Sequence, residues 1–201
     1  MPSLDRFCGS VLVPALSVSI ADAWELRFAA HGIRVSIFRD AIRLIARLKF
    51  HAAGEPYSDT LLVGSLILVL FHRLCSDELR HLNGESSKII AESTRIATIL
   101  CLSEPRRRIG VIPGFPTWYL VRLQETLQSS DADWTGLNDL KLWILTAAVK
   151  EAGGSPLGPW FETQRVAAIN EYPESLRLYM EHDMNNLFPE TASFCRFMQV
   201  T

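Results

Sequence analysis

The sequence predicts an all-α fold, an irregular bundle of about seven to eight helices. First, apolar residues recur three and four positions apart in several segments, which is the spacing of one helix face. Second, short stretches rich in glycine and proline separate these segments, and such residues end helices. Third, no stretch alternates apolar and polar residues between hairpin signals, as a half-buried strand would. A length of 201 residues suits a single helical domain over 1–201, of which 1–20 is poorly defined.

Composition and charge limit the classes of function. The hydrophobic fraction is 48%, which excludes a disordered chain and favours a surface covered by protein partners or by self-association. The net charge is −2, whereas a free-standing DNA-binding domain is usually strongly basic. The charge therefore argues against direct DNA binding. No membrane span is expected, because the longest strongly apolar run, 61–71, is about half as long as a span requires.

Two of the helices expected in the first half of the chain have distinctive faces, and a short helix ending near Gly32 is expected before them. A helix over 34–50 has apolar residues on one face and arginines on the other, which we expect to be solvated rather than to contact nucleic acid or membrane. A second helix, over 59–82, begins with a run that is apolar on every side, so it is expected to be a central core helix. The three arginines of the first helix are Arg39, Arg43 and Arg47.

A helix over 86–103 leads into a segment with three prolines and two glycines, 104–116, which should exclude regular structure. This segment contains a basic run, Arg106, Arg107 and Arg108. The run is a candidate basic contact or anion-binding loop, or else an exposed loop without a ligand. The next helix, over 117–130, is expected to turn three apolar side chains inward, namely Trp118, Val121 and Leu127.

The most informative stretch is 138–161. Either Asn138 or Asp139 could cap a helix there, because both carry a short side-chain oxygen. Gly153 and Gly154 can adopt the left-handed conformation that ends a helix. A proline-bounded loop and a further helix over 160–171 follow. The large aromatic residues of this stretch are expected to be structural anchors in the core. They are Trp143, Trp160 and Phe161.

No motif indicates a catalytic, cofactor-binding, metal-binding or DNA-binding residue, so the chain is not expected to be an enzyme or to need a cofactor. His72 and Cys75 share a helix face, but a zinc site needs about two further ligands. His182, between two acidic residues, is expected to lie on a polar helix face. The cysteines are far apart and lack CxxC spacing, so buried free thiols are expected. They are Cys8, Cys75, Cys101 and Cys195.

Three segments resemble the regulatory region of fungal-specific zinc-cluster (Zn2Cys6) transcription factors. The helix at 93–103, STRIATILCLS, is similar to an Arg-Leu-Ala-rich helix of that family. The segment at 112–128, IPGFPTWYLVRLQETLQ, follows in the usual place. The stretch at 140–161, LKLWILTAAVKEAGGSPLGPWF, is similar to the Leu-Trp-rich helix that closes in a Trp-Phe pair. The match is best over 86–165.

The resemblance implies a helical domain that controls transcription in the nucleus, through protein contacts or effector-gated exposure of a surface. Members of the family carry an N-terminal cluster of six cysteines, and this sequence has four isolated ones. The resemblance therefore implies a regulator without its own DNA-binding cluster, as a truncated product, a fragment or a stand-alone protein. The alternatives are a small-molecule-binding or catalytic helical domain with a pocket under 104–116, or an inactive fragment. The cytoplasm is the alternative location.

Overall fold

The computed structural model describes residues 60–76, 84–108, 116–129, 131–174 and 177. Several sequence predictions lie outside these residues. They concern the segment 1–20, the arginine face of the helix at 34–50, most of the loop after residue 108, and the helices expected after residue 177. The individual side chains concerned are Arg39, Arg43, Arg47, His182, Cys8 and Cys195.

The described residues are mostly helical and contain no strand, which confirms the all-α prediction for this part of the chain. The number of about seven to eight helices stays a prediction. The described helices are α1 (Thr60–Cys75), α2 (Glu85–Cys101), α3 (Ser103–Arg108), α4 (Pro116–Gln128), α5 (Asn138–Glu151) and α6 (Gly158–Asn170).

Helix α5 lies at the centre of the described core and packs against α2 and α6. Its side chains are buried almost all round, as the apolar stripe and its flanking leucines predict. Trp143 and Ile144 have no exposed surface, and Leu140 and Leu145 are 1% exposed. Because the seven consecutive residues 142–148 are all buried, neighbours must close around the middle of α5 on several sides.

Helix α2 packs against both α5 and α4 and is the second core helix. It contains two buried threonines, whose hydroxyls would destabilise the core if they had no partner. Thr94 donates to the carbonyl of Ile90 at 2.7 Å, and Thr98 donates to the carbonyl of Thr94 at 2.7 Å. These local hydrogen bonds let threonine side chains lie inside an apolar interface.

The prediction that α1 is a central core helix is wrong. One face is buried through Ile67, Leu70 and Leu74, while Leu68 and Val69 on the other side are 61% and 48% exposed. Among the described helices, α1 has a limited contact with α2. A run without polar residues does not show which side meets a neighbour, and among the described residues of α1 one face is buried and the other is exposed.

The prediction that Trp118 and Val121 point inward is also wrong. They are 58% and 39% exposed, whereas Leu120 and Leu123 are buried and Leu127 is half-buried. Both sets have helical spacing, so α4 carries apolar residues on two opposite faces. The leucine face packs on α2, and the tryptophan face is left outward.

Two local predictions need correction as well. Regular structure is not excluded from 104–116, since α3 is helical from residue 103 to 108. Pro105 lies in its first turn, where the missing N–H would have had no intrahelical acceptor. Neither Asn138 nor Asp139 caps α5, because the N-cap is Leu137 and no side chain bonds to the free amides. Asp139 instead accepts a hydrogen bond from the Tyr172 hydroxyl at 2.7 Å.

Helix α5 ends at Glu151, and the following turn joins it to α6. Gly154 has a φ of 78°, in the left-handed region expected of one of the two glycines, whereas Gly153 does not have a positive φ. Pro159 lies at the start of α6, where its fixed φ is favourable. The turn lets α5 and α6 pack side by side.

Candidate functional site

The outward side of α4 carries a stripe of exposed residues. Val121 and Arg122 lie three and four positions after Trp118, and Glu125 lies four and three positions after them, so the four residues form one helix face. We call these four residues the α4 outer face. All four are exposed, and Trp118 is the most exposed tryptophan among the described residues.

The buried leucines of α4 fix the direction of the outer face. Leu120 and Leu123 are 2% and 0% exposed and hold α4 against α2. The Trp118 ring packs edge-to-face on the Tyr119 ring, with centroids 5.0 Å apart and an interplanar angle of 83°. Arg122 and Glu125 are 3.5 Å apart, an exposed ion pair that contributes little to stability. Their charges therefore remain accessible beside an apolar centre.

A polar cluster lies beside α4, between α1 and α2. The pKa of Tyr119 is raised, mainly by burial of its hydroxyl and to a smaller extent by the nearby Cys75 thiol. Burial of the Arg95 guanidinium opposes its charge, but hydrogen bonds to Glu92 at 2.6 and 2.7 Å outweigh that effect and raise the pKa of Arg95. Cys75 is exposed, so the expectation of a buried thiol is wrong there, whereas Cys101 is buried.

The basic run makes contacts within the chain. The guanidinium carbon of Arg106 lies 4.9 Å from the centroid of the Phe71 ring, within the range of a cation–π interaction. Arg107 donates from both terminal nitrogens to Glu151, at 2.8 and 2.7 Å, and from Nε to Glu104 at 3.3 Å. The bonds to Glu151 are the main reason that the pKa of Arg107 is raised. The Arg108 side chain lies outside the described ones.

Of the three aromatic residues expected as anchors, Trp143 lies in α5, and Trp160 and Phe161 lie near the start of α6. Trp143 and Phe161 have no exposed surface. Trp160 is half-buried at the edge of the core and packs edge-to-face on Phe161, with centroids 4.9 Å apart. The aromatic pair thus begins in the core and reaches the surface at Trp160.

We searched the part of the chain that the structure describes for groups of metal ligands and for membrane-spanning helices. No group of at least three histidine, cysteine, aspartate or glutamate residues there could hold a metal ion. Within the same residues, no helix has the length and apolar character needed to cross a membrane. His72 and Cys75 are both exposed, and the His72 ring lies 3.3 Å from the Ser76 hydroxyl.

No family model, curated protein or solved structure matches this chain. The resemblance to fungal regulatory regions is therefore carried by the sequence segments alone. The structure brings together two groups of residues. One is the α4 outer face, and the other consists of Arg106 and Arg107 with their partners Phe71 and Glu151.

Sequence reasoning missed the partner of Arg107 and the exposure of Trp118. Glu151 is 44 positions from Arg107, and no sequence spacing relates a loop arginine to the end of a distant helix. A signal for Trp118 did exist, since the leucines at 120, 123 and 127 define an alternative apolar stripe. Either the leucine face or the tryptophan face of such a helix could be the buried one, and the sequence pattern does not distinguish them.

Proposed function

We propose that this chain is a transcription-regulator-like helical domain that acts through protein contacts and has no DNA-binding cluster of its own. The observation that carries the proposal is the α4 outer face, where a large aromatic residue is exposed beside an exposed pair of opposite charges. Tryptophan and arginine are the residues most enriched among those that dominate protein interfaces.

The partner is an amphipathic helix of another protein. A helix that lies along α4 would place an apolar side chain on Trp118 and Val121 and one charged residue opposite each of Arg122 and Glu125. The two charges have opposite sign, so the face favours a partner with an acidic and a basic residue rather than a polyanion. Self-association through the same face is the alternative outcome.

The resemblance supplies the biological setting of the proposal. The segment 112–128, which includes α4, is one of the three segments that are similar to fungal regulatory regions. We place the domain in the nucleus, where it would alter transcription through a DNA-bound partner. A fluorescent fusion that stays in the cytoplasm would contradict this location.

A reporter assay tests the proposed function. The whole chain is fused to an unrelated DNA-binding domain, and transcription from a reporter with matching binding sites is measured. The fusion is expected to raise or lower transcription severalfold relative to the DNA-binding domain alone. Trp118→Ser with Val121→Ser should remove most of this effect, because the apolar centre of the face is lost.

The matched control is Val166→Ser on α6. Val166 is 45% exposed, close to the exposure of the α4 residues, but it lies outside the outer face. This variant should keep the full effect on the reporter. A fusion that leaves transcription at the level of the DNA-binding domain alone would contradict the proposed function. Equal loss in the control and the α4 variant would contradict the role of α4. Analytical ultracentrifugation of the purified chain separates self-association from binding of another protein.

A further inference from the structure

We propose that α3 is a strap that ties α1 to the end of α5, so that breaking the Arg107–Glu151 ion pair loosens α1 as well as α3. This inference does not depend on the proposed function. In this arrangement Arg106 and Arg107 of the basic run, which resembles an external contact in the sequence, have an internal conformational role.

The tie between α3 and α5 is the stronger one. The Glu151 side chain is 6% exposed, so its carboxylate has little access to water. Arg107 satisfies it with two hydrogen bonds, one to each carboxylate oxygen, the bidentate geometry that makes arginine–carboxylate pairs strong. Removing the guanidinium would leave a buried carboxylate without this cation, which strongly disfavours the packed arrangement.

The tie between α3 and α1 is made by the preceding residue. Arg106 stacks over Phe71, which lies near the C-terminal end of α1 and is half-buried against the core. Helix α3 is six residues long, too short to be stable by itself, so its position depends on its contacts. Because Arg106 and Arg107 are neighbours in this short helix, a displacement at Arg107 must also move Arg106.

Helix α1 also has a contact that does not involve α3. Arg95 on α2 donates to the backbone carbonyl of Leu74 at 3.2 Å, and Ile67, Leu70 and Leu74 are buried. Loss of the strap should therefore loosen α1 without unfolding the core. The buried face of α1 would then open to solvent more often, so the ion pair controls how much apolar surface the chain exposes.

Hydrogen–deuterium exchange of the full chain tests the strap. In Arg107→Ala, backbone amides of both α3 and α1 should exchange roughly tenfold faster than in the wild type, whereas those of α5 should change little. Arg106→Ala should accelerate exchange in α1 alone, because the contact of α3 with α5 remains. Unchanged exchange in α1 of the folded Arg107→Ala variant would overturn the proposal.

Two further variants keep the test decisive. Glu151→Gln removes the ion pair and one of the two hydrogen bonds without leaving a buried charge, because the amide keeps one acceptor oxygen. It should accelerate exchange in α1 in the same direction, but less than Arg107→Ala. In the double variant Arg107→Ala with Glu151→Gln, the amides of α1 should exchange no faster than in the faster of the two single variants. Both substitutions remove the same tie, the one between α3 and α5. An additive increase would overturn the coupling through this pair.

The matched control is Arg122→Ala. Arg122 also pairs with a glutamate, Glu125, but on the exposed side of α4. This variant should leave exchange in α1 and α3 unchanged. The same acceleration in the control would show a general effect of losing an arginine, and it would overturn the strap.

Discussion

Helices α5 and α4 each contain a tryptophan, and the two side chains have opposite surroundings. Trp143 on α5 has no exposed surface, while Trp118 on α4 is 58% exposed. Helix α5 packs against α2 and α6, whereas the leucine side of α4 packs on α2 and its tryptophan side faces outward. The comparison teaches that residue type alone did not decide burial here; the number of neighbours around each helix did.

The largest expected effect separates these two residues. Trp143→Ala should lower the free energy of unfolding by ~3–5 kcal/mol, because it removes a fully buried aromatic side chain and leaves a cavity. Trp118→Ala should change it by no more than about 0.5 kcal/mol, because the side chain is mostly in solvent. Urea denaturation followed by circular dichroism measures both. Similar losses in the two variants would break the comparison.

The backbone of the turn between α5 and α6 is constrained at Gly154, which lies in the left-handed region. Gly154→Ala should cost about 1 kcal/mol, since an alanine is disfavoured at a φ of 78°. Gly153→Ala is the control, because Gly153 lacks a positive φ and the added Cβ would lie 3.6 Å from the Lys150 carbonyl oxygen. Thermal unfolding should separate the two variants, and equal midpoints would argue against the left-handed turn.

A polar contact also joins the start of α5 to the residues after α6. Tyr172→Phe removes the hydroxyl that donates to Asp139 at 2.7 Å and should cost ~1 kcal/mol. Asp139→Asn in the Tyr172→Phe background should add little further loss if the two side chains act together. Chemical denaturation of the single and double variants measures this coupling, and full additivity would contradict it.

The smallest effect concerns the surface of α6. The hydrogen bond from Arg165 lowers the pKa of Glu162, so the carboxylate stabilises the fold at neutral pH. This stabilisation is present above the unfolded pKa of the residue and is lost as pH falls through the lower folded value. Glu162→Gln should therefore cost at most about 0.5 kcal/mol at pH 7, since the Glu162 side chain is 43% exposed and solvent screens the pair. The difference should vanish in acid, and a difference that grows with acidity would contradict the assigned direction.

The sequence predicted the helices better than it predicted their faces. The burial of α5 could be predicted because apolar residues lie on most sides of the helix. In α4, Trp118 and Leu120 belong to two competing stripes, and tertiary packing on α2 decided between them. Pro105 suggested a loop, yet the first turn of a short helix accepts proline without losing a hydrogen bond.

The candidate site was less predictable than the fold. Arg106 and Arg107 could be recognised as a basic run, but their partners, Phe71 and Glu151, come from helices far away in sequence. Such pairs depend on how helices meet, which a single sequence does not encode in any local spacing. Asp139 shows the same limit, because a residue with good capping chemistry bonds to Tyr172 instead.

Fluorine NMR of the chain labelled with 5-fluorotryptophan tests the central contrast most directly. Signals are assigned with Trp118→Phe and Trp143→Phe, and spectra are recorded in H2O and in D2O. The Trp118 resonance should show a clear solvent isotope shift, and the Trp143 resonance should show almost none. A solvent-sensitive Trp143, or a Trp118 shielded from solvent in the isolated chain, would contradict both the core built around α5 and the outward face of α4.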